Sequence, residues 1–266
     1  MSRIIELDFT RGVAVNLMIL SHMGVFLFLT LKNLGNTEKS LKFLASTKSN
    51  KIFNIIGVFA HTLFLLLVGV NMVTSYKNTE KKIQKESRSK EDVKQEYVKK
   101  NVKRAIFIGL IGLLMSVLTR SIFGSWYIVF GIFQFIAVSI LLAIPIQLNY
   151  SHTFVIILIV ASLLLNRISF SKQNSINLQS VITGSLSPKY KFLDFFPILP
   201  YFTFVLIGIL VGNLNFDLKF SDKLKNNLVI KEISSMGRWS IQLYFLHLII
   251  IYGIMKIVIG KKNIKI

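Results

Sequence analysis

A histidine and an arginine are predicted to share one face of a long apolar segment near the start of the chain. Residues 12–31 contain no Asp, Glu, Lys or Arg, and His22 lies within this run, eleven residues after Arg11. At 3.6 residues per turn, positions eleven apart point within about 20° of each other and lie about 16 Å apart along the axis. Neutral imidazole can remove a proton from a hydroxyl or an amine. The pattern indicates a site for an anionic ligand with a long uncharged arm. A histidine that only hydrogen-bonds a neighbouring helix is an equal alternative.

A second polar stripe lies in the last apolar segment. Ser240, Tyr244 and His247 are spaced at i, i+4 and i+7, and therefore share one face of a helix. We interpret Tyr244 and His247 as site residues, and Arg238 as a second cation for the same anion. Arg238 next to Trp239 is also the usual pattern of an interfacial anchor.

Other polar or small residues occur inside apolar segments. We expect His61 either to meet His22 across a helix pair or to serve packing alone. Gln134 predicts a hydrogen bond between helices, and Gly208 with Gly212 forms the small-xxx-small pattern of closely packed helices.

Several classes of site are excluded by residue type and spacing. The chain has no cysteine, which excludes disulfides, thiolate metal sites and a cysteine nucleophile. The histidines do not have the spacing of a local metal-ligand motif, and no nearby carboxylate can be assigned behind them, so we expect no metal. The chain contains no P-loop, HExxH, GxSxG or dinucleotide-binding fingerprint.

The residues named above must be positioned by membrane-spanning helices. The 266 residues are 53% hydrophobic and 17% charged, with a mean hydropathy of +0.60, and the charges are concentrated between long apolar blocks. We predict an all-α, polytopic transmembrane helical bundle, formed by residues 1–266 as a single domain. About seven spans are expected, of which the third and fifth are short enough to be half-helices. They are residues 12–31, 52–76, 105–119, 127–148, 153–166, 196–213 and 239–259.

The charged loop 77–104 determines the predicted orientation. It carries 11 of the 32 Lys and Arg residues, and the positive-inside rule places this loop and the N-terminus in the cytoplasm. The loop is rich in helix formers, so we expect it to continue the flanking helices into the cytosol, beside lipid headgroups. The net charge of +20 is better explained by contact with membrane lipids than by nucleic-acid binding. We expect an integral protein of the plasma membrane.

Five blocks of sequence, in order along the chain, have a form found in one family. The first is RIIELDFTRGVA from Arg3, followed by Met18 and His22, and the last is GRWSIQLYFLH at 237–247. Between them lie HTLF at 61–64, WYIVFGIFQFIA at 126–137, and Leu199-Pro200 with two later glycines. These blocks resemble motifs of the heparan-α-glucosaminide N-acetyltransferase-like family of transmembrane acyltransferases. The resemblance covers nearly the whole chain.

The resemblance implies an acyltransferase that takes an acyl group from cytosolic acyl-CoA, with acetyl-CoA expected, and passes it to a hydroxyl or amine of a glycan, glycolipid or similar acceptor. It implies that His22 is the general base, that Tyr244 and His247 line the tunnel, and that His61 orients His22 or the acceptor. Three arginines would bind the phosphates of CoA: Arg3, Arg11 and Arg238.

Two other functions are compatible with the residues. One is a proton-coupled transporter or channel that uses the intramembrane histidines as a relay. The other is a non-catalytic membrane scaffold. The sequence leaves open whether the chain forms a homo-oligomer.

Overall fold

The computed structural model describes residues 4–34, 47–124, 127–168, 170–187, 192–214 and 220–259. The described residues are about 81% helical with almost no strands, in agreement with the predicted all-α class. The described helices, in chain order, are α1 (Ile5–Leu34), α2 (Thr47–Lys85), α3 (Lys90–Phe123), α4 (Ile132–Leu148), α5 (His152–Leu165), α6 (Leu178–Thr183), α7 (Ile198–Asn213), α8 (Asp222–Lys225), α9 (Leu228–Arg238) and α10 (Ser240–Ile259). Two short strands, β1 (Ile128–Phe130) and β2 (Asp194–Phe195), complete the described elements.

Two of the described helices are long and apolar enough, by length and composition, to cross a membrane. They are Lys51–Lys85 within α2 and Lys90–Ile122 within α3. Shorter apolar helices accompany them, namely Ile132–Leu148, His152–Leu165, Ile198–Asn213 and Ser240–Ile254. The total of seven spans stays a prediction.

The charged segment 77–104 is helical on both sides of a short turn, as predicted. Helix α2 continues to Lys85, and α3 begins at Lys90. Ser89 caps α3: its hydroxyl accepts a hydrogen bond from the backbone N–H of Asp92, and the Asp92 carboxylate accepts one from the backbone N–H of Ser89. This reciprocal capping box satisfies two backbone donors and defines the start of the helix.

The predicted start of the span 127–148 is wrong. Residues Ile128–Phe130 form β1, which pairs in parallel with β2, with Ile128 opposite Asp194 and Phe130 opposite Phe195. Isoleucine, valine and phenylalanine favour extended structure, and a short apolar run does not distinguish strand from helix. The helix begins only after Gly131.

The described chain divides into two compact units, one formed by residues 65–216 and the other by residues 2–64 with 217–266. In the first unit, α3 and α4 are joined through Gln134. Its Nε2 donates to the carbonyl oxygen of Gly112 at 2.8 Å and to the hydroxyl of Ser116 at 2.7 Å. The predicted interhelical hydrogen bond of Gln134 is therefore confirmed. Whether the chain is one functional domain stays a prediction.

Helices α2 and α7 cross closely within the same unit. A Cβ added to Gly208 would overlap the carbonyl of Leu66 and lie 3.1 Å from the Cα of Gly69. A Cβ on Gly212 would lie 3.0 Å from the side chain of Val73. The absence of side chains at these positions allows the backbones to approach, which confirms the predicted small-residue packing.

Candidate functional site

In the second unit, α1 and α9 touch through their backbones. A Cβ added to Gly12 would overlap the carbonyl of Ile233, and a Cβ added to Gly237 would overlap the carbonyl of Asp8. Any side chain at either glycine would push the helices apart. These two glycines therefore determine how α9, and the start of α10 that follows it, lie against α1.

The middle of α1 is held by the beginning of α2. The hydroxyl of Ser21 donates to the backbone carbonyl of Phe53 at 2.8 Å. A Cβ on Gly24 would overlap the ring of Phe53, and a Cβ on Gly57 would lie 2.6 Å from the Ser21 hydroxyl oxygen. Because Ser21 and Gly24 flank His22 in the chain, these contacts fix the helical turn that carries the imidazole.

His22 and His247 meet through their ring nitrogens. Nδ1 of His22 lies 2.9 Å from Nε2 of His247. The ring planes are 12° from parallel and the centroids are 5.2 Å apart, so the N–H and the lone pair, which both lie in the ring planes, can point at each other. On the far side of the pair, Nδ1 of His247 lies 2.9 Å from the carbonyl oxygen of Leu243.

The backbone carbonyl of Leu243 determines which nitrogens of the two imidazoles carry a hydrogen. A carbonyl oxygen can only accept, so Nδ1 of His247 donates to Leu243. In neutral His247 the lone pair is then on Nε2, and Nδ1 of His22 must donate to it. His22 in turn carries its own lone pair on Nε2. The arrangement therefore provides an imidazole nitrogen that can accept a proton, in a defined tautomer.

Tyr244 completes the cluster from the same helix as His247. Its ring lies edge-on to His22, with centroids 6.4 Å apart, and edge-on to His247, at 5.5 Å. Tyr244 and His247 are 8% and 7% exposed, whereas Ile249 is 67% exposed. Helix α10 therefore turns the Tyr244–His247 face inward, as the i, i+4, i+7 spacing predicted, and Ser240 is half-buried.

The predicted cations differ in how far their charge is already balanced. Nη1 of Arg11 lies 2.7 Å from Oδ1 of Asp8, three residues earlier on α1. Arg238 is the last residue of α9 and is exposed, and the described part of the chain gives it no ion pair. Arg238 therefore offers the less compensated charge of the two. Arg3 lies outside the described residues.

His61 lies on α2 and is half-buried. It belongs to the same unit as His22, and its meeting with His22 stays a prediction. Within the ranges that the structure describes, no three His, Cys, Asp or Glu side chains are grouped in a way that could hold a metal ion.

The sequence reasoning missed Asp194, in the unit of residues 65–216. Its Oδ2 accepts a hydrogen bond of 3.3 Å from the backbone N–H of Ile132, at the start of α4. Burial of the carboxyl group raises the pKa of Asp194 to about 7. The sequence did single out Asp194, since it is the only acidic residue between Glu96 and Asp217.

Comparison with known proteins gives a match over most of the chain. A family model described as heparan-alpha-glucosaminide N-acetyltransferase, catalytic, matches residues 3–249. This range includes His22, Tyr244 and His247, and it confirms the resemblance read from the sequence blocks. No curated protein and no solved structure matches the chain. The chain therefore belongs to the heparan-alpha-glucosaminide N-acetyltransferase catalytic-domain family, which indicates a transferase with a membrane acetyltransferase-type function.

Proposed function

We propose that the chain is a membrane-bound acyltransferase that moves an acetyl group from cytosolic acetyl-CoA to a hydroxyl or amine of a glycan or glycolipid. The observation that carries the proposal is the hydrogen bond between His22 and His247, which leaves Nε2 of His22 as a base. Membership of the family supports the choice of acyl transfer. The N-terminus would lie in the cytoplasm, and the membrane would be the plasma membrane.

In the proposed reaction, Nε2 of His22 removes the proton of the acceptor hydroxyl or amine. The acceptor oxygen or nitrogen forms a bond to the thioester carbonyl carbon, and the bond from that carbon to sulfur breaks. The proton on His22 then passes to the sulfur, which leaves as the free thiol of CoA. A base in this position contributes a rate factor of about 10²–10⁴.

His247 acts as a positioning residue in this proposal. The cation formed at His22 keeps donating from Nδ1 to Nε2 of His247, so the developing charge is stabilised by a charge-assisted hydrogen bond. The carbonyl of Leu243 holds the His247 ring with its acceptor nitrogen towards His22. Without this bond His247 could rotate or change tautomer, and Nδ1 of His22 would lose its acceptor.

The other predicted residues would bind the donor and the acceptor. Arg238 would be the main ligand of the CoA phosphates, with Arg11 and Arg3 beside it, since the charge of Arg11 is already shared with Asp8. Tyr244 would line the tunnel next to the imidazoles, and His61 would orient His22 or the acceptor.

A proton-coupled transporter or channel is the second candidate, because two bonded imidazoles can pass a proton between them. The hydrogen-bonded chain, however, ends at the carbonyl of Leu243, and a carbonyl oxygen does not carry a proton onward. A continuous relay would need Nδ1 of His247 to hydrogen-bond a titratable group, and that nitrogen is occupied by the carbonyl of Leu243. This is the reason for preferring a base that takes up and returns one proton.

The test is release of free thiol by the purified protein from acetyl-CoA with a panel of glycan and glycolipid acceptors. We expect release that depends on an acceptor, disappears in H22A and persists in H152A, which removes an exposed histidine from the other unit. Thermal unfolding shows whether H22A is folded. Absence of release with every acceptor, together with pH-driven solute flux in liposomes, would favour the transporter. Acetyl-CoA should also raise the melting temperature, because a ligand that binds only the folded state stabilises it.

A further inference from the structure

The exposed surface of α3 changes from basic to apolar within about one helical turn. Lys99 and Lys103 are exposed, and immediately after them Ile106, Phe107 and Leu110 are 57%, 59% and 60% exposed. Large apolar side chains at this exposure are costly in water and favourable in hydrocarbon. Lysine side chains just beyond such a surface are typical of the headgroup layer, where the long stem lies along apolar groups and the ammonium reaches water.

A groove of about 660 Å³ lies on the basic side of this boundary. Its apolar part is lined by Val98 and Val102 of α3 and by Leu148, the last residue of α4. Lys99 and Lys103 line the same groove. The volume is within the range of about 300–1,000 Å³ that is usual for sites that bind small molecules.

The charges around the groove favour an anion. Lys94 is balanced by Glu91, with Nζ and Oε2 3.6 Å apart. Lys99 and Lys103, four residues apart on α3, have no ion pair with any residue that the structure describes. Two lysines on one helix face are therefore available to one negative group, and they line the same groove as the apolar side chains.

We propose that this groove binds an anionic phospholipid from the leaflet that surrounds the start of α3. The phosphate lies between the ammonium groups of Lys99 and Lys103, and the glycerol region lies on Val102 and Leu148. The acyl chains continue along the exposed apolar face that begins at Ile106. Basic pockets between membrane helices take anionic headgroups by this combination of charge and adjoining hydrocarbon.

A phospholipid fits these observations better than a soluble phosphate. The apolar lining of the groove would not stabilise a bound hydrophilic anion. It is, however, continuous with the helix surface that hydrocarbon would cover. The proposal requires that α3 crosses a membrane. It does not require acyl transfer, since all the residues involved lie in the unit of residues 65–216, while the histidine pair lies in the other.

The experiment measures how the purified full chain retains phosphatidylglycerol and phosphatidylcholine, by native mass spectrometry during lipid titration in detergent. We expect the wild type to prefer phosphatidylglycerol, and K99Q/K103Q to bind it at least about tenfold more weakly, since each lysine near an anionic surface contributes on the order of a factor of five. The matched control is K81Q/K85Q on α2, which removes two exposed lysines with the same spacing. This control should keep the preference.

Three results would overturn the proposal. Equal weakening in both double variants would mean a diffuse effect of net charge, and equal binding of the two lipids by the wild type would mean no anion site. Displacement of phosphatidylglycerol from the wild type by CoA, without displacement from K99Q/K103Q, would assign the groove to a nucleotide. Melting temperatures recorded without lipid show whether each variant is folded, and the single variants K99Q and K103Q replace the double one if it is unstable.

Discussion

Nδ1 of His22 and Nε2 of His247 are joined by a hydrogen bond of 2.9 Å, although 225 residues separate them in the chain. The bond gives the two imidazoles different roles. His247 has its other nitrogen on the carbonyl of Leu243, while His22 has Nε2 left for a reactant. The same pair of residues would look equivalent from sequence, since both are single histidines in apolar segments.

We predict that the two histidines differ in the size of their effect on turnover. H22A removes the base and should lower kcat by about 10²–10⁴. H247A leaves Nε2 of His22 in place but removes the acceptor for Nδ1, so the loss should be smaller and should be accompanied by a change in the pH–rate profile. H247Q, whose amide oxygen can accept the same hydrogen bond, should retain more activity than H247A. The measurement is steady-state thiol release with saturating acetyl-CoA and acceptor.

The control for both histidines is H152A, in which kcat should stay within about twofold of wild type, since His152 is exposed and belongs to the other unit, and surface substitutions usually have little effect. A larger loss in H247A than in H22A would contradict the assignment of the base. Equal activity of H247Q and H247A would contradict the positioning role.

Arg238 is predicted to act on the phosphates of the donor. R238A should raise the KM for acetyl-CoA by roughly tenfold, the loss of one charge-assisted hydrogen bond, with little change in kcat. The KM for acetyl-pantetheine, which lacks the nucleotide and its phosphates, should be the same in R238A and in wild type. The measurement is thiol release with each donor in turn.

R11A is the informative comparison for Arg238. It should raise the KM for both donors, because it removes the guanidinium bound to the Asp8 carboxylate and so disturbs α1 itself, and the rise should be somewhat larger for acetyl-CoA, whose phosphates Arg11 would also meet. A rise in the KM for acetyl-pantetheine in R238A would show that Arg238 acts through the fold, not through phosphate.

The face of a helix on which a residue lies could be predicted from the sequence, because it depends only on the spacing of residues along the chain. The spacing of Tyr244 and His247 placed both on one face of α10, and the structure buries that face. The meeting of His22 with His247 was not predicted. It depends on how α1, α9 and α10 are arranged, which is determined by the contacts of Gly12 and Gly237 with backbone atoms far away in sequence. A glycine in a sequence does not indicate which distant backbone atoms it will contact.

Two local features were also beyond the sequence reasoning, for different reasons. The run Ile128–Phe130 is apolar like its neighbours, and its pairing with β2 depends on residues more than 60 positions later. Asp8 and Arg11 are three residues apart on α1, a spacing that brings side chains together on a helix, yet spacing alone does not show that the carboxylate binds the guanidinium, as it does at 2.7 Å.

The backbone contact of α1 with α9 makes a prediction about stability. G237A and G12A each place a methyl group on a carbonyl oxygen, and the helices must separate to admit it. Insertion of a methyl group into a packed contact costs about 1–3 kcal/mol. Both variants should melt at lower temperature, and both should lose activity because α10 carries His247.

The matched control is G253A on α10, where an added Cβ meets no atom of a described residue within 4 Å. Alanine is favoured over glycine in a helix by about 1 kcal/mol, so the same substitution should leave the melting temperature unchanged or raise it. Similar melting temperatures for G237A and G253A would show that α1 and α9 do not touch in the folded protein.

The buried carboxyl group of Asp194 should make the folded protein less stable as the pH rises. Burial raises the pKa of its carboxyl group from 3.8 to about 7, so between these two values the folded chain holds a proton that the unfolded chain releases. The contribution of Asp194 to stability is therefore largest below about pH 4, falls as the pH rises to about 7, and then stays constant. The fall is at most about 1.4 kcal/mol per pH unit.

D194N keeps an oxygen for the N–H of Ile132 but cannot ionise, so its melting temperature should decrease less than that of wild type between pH 5 and pH 8. D222N, at a side chain that is 98% exposed, should follow the wild type. Parallel melting curves for D194N and wild type would mean that the carboxyl group of Asp194 is ionised at little cost in the folded protein.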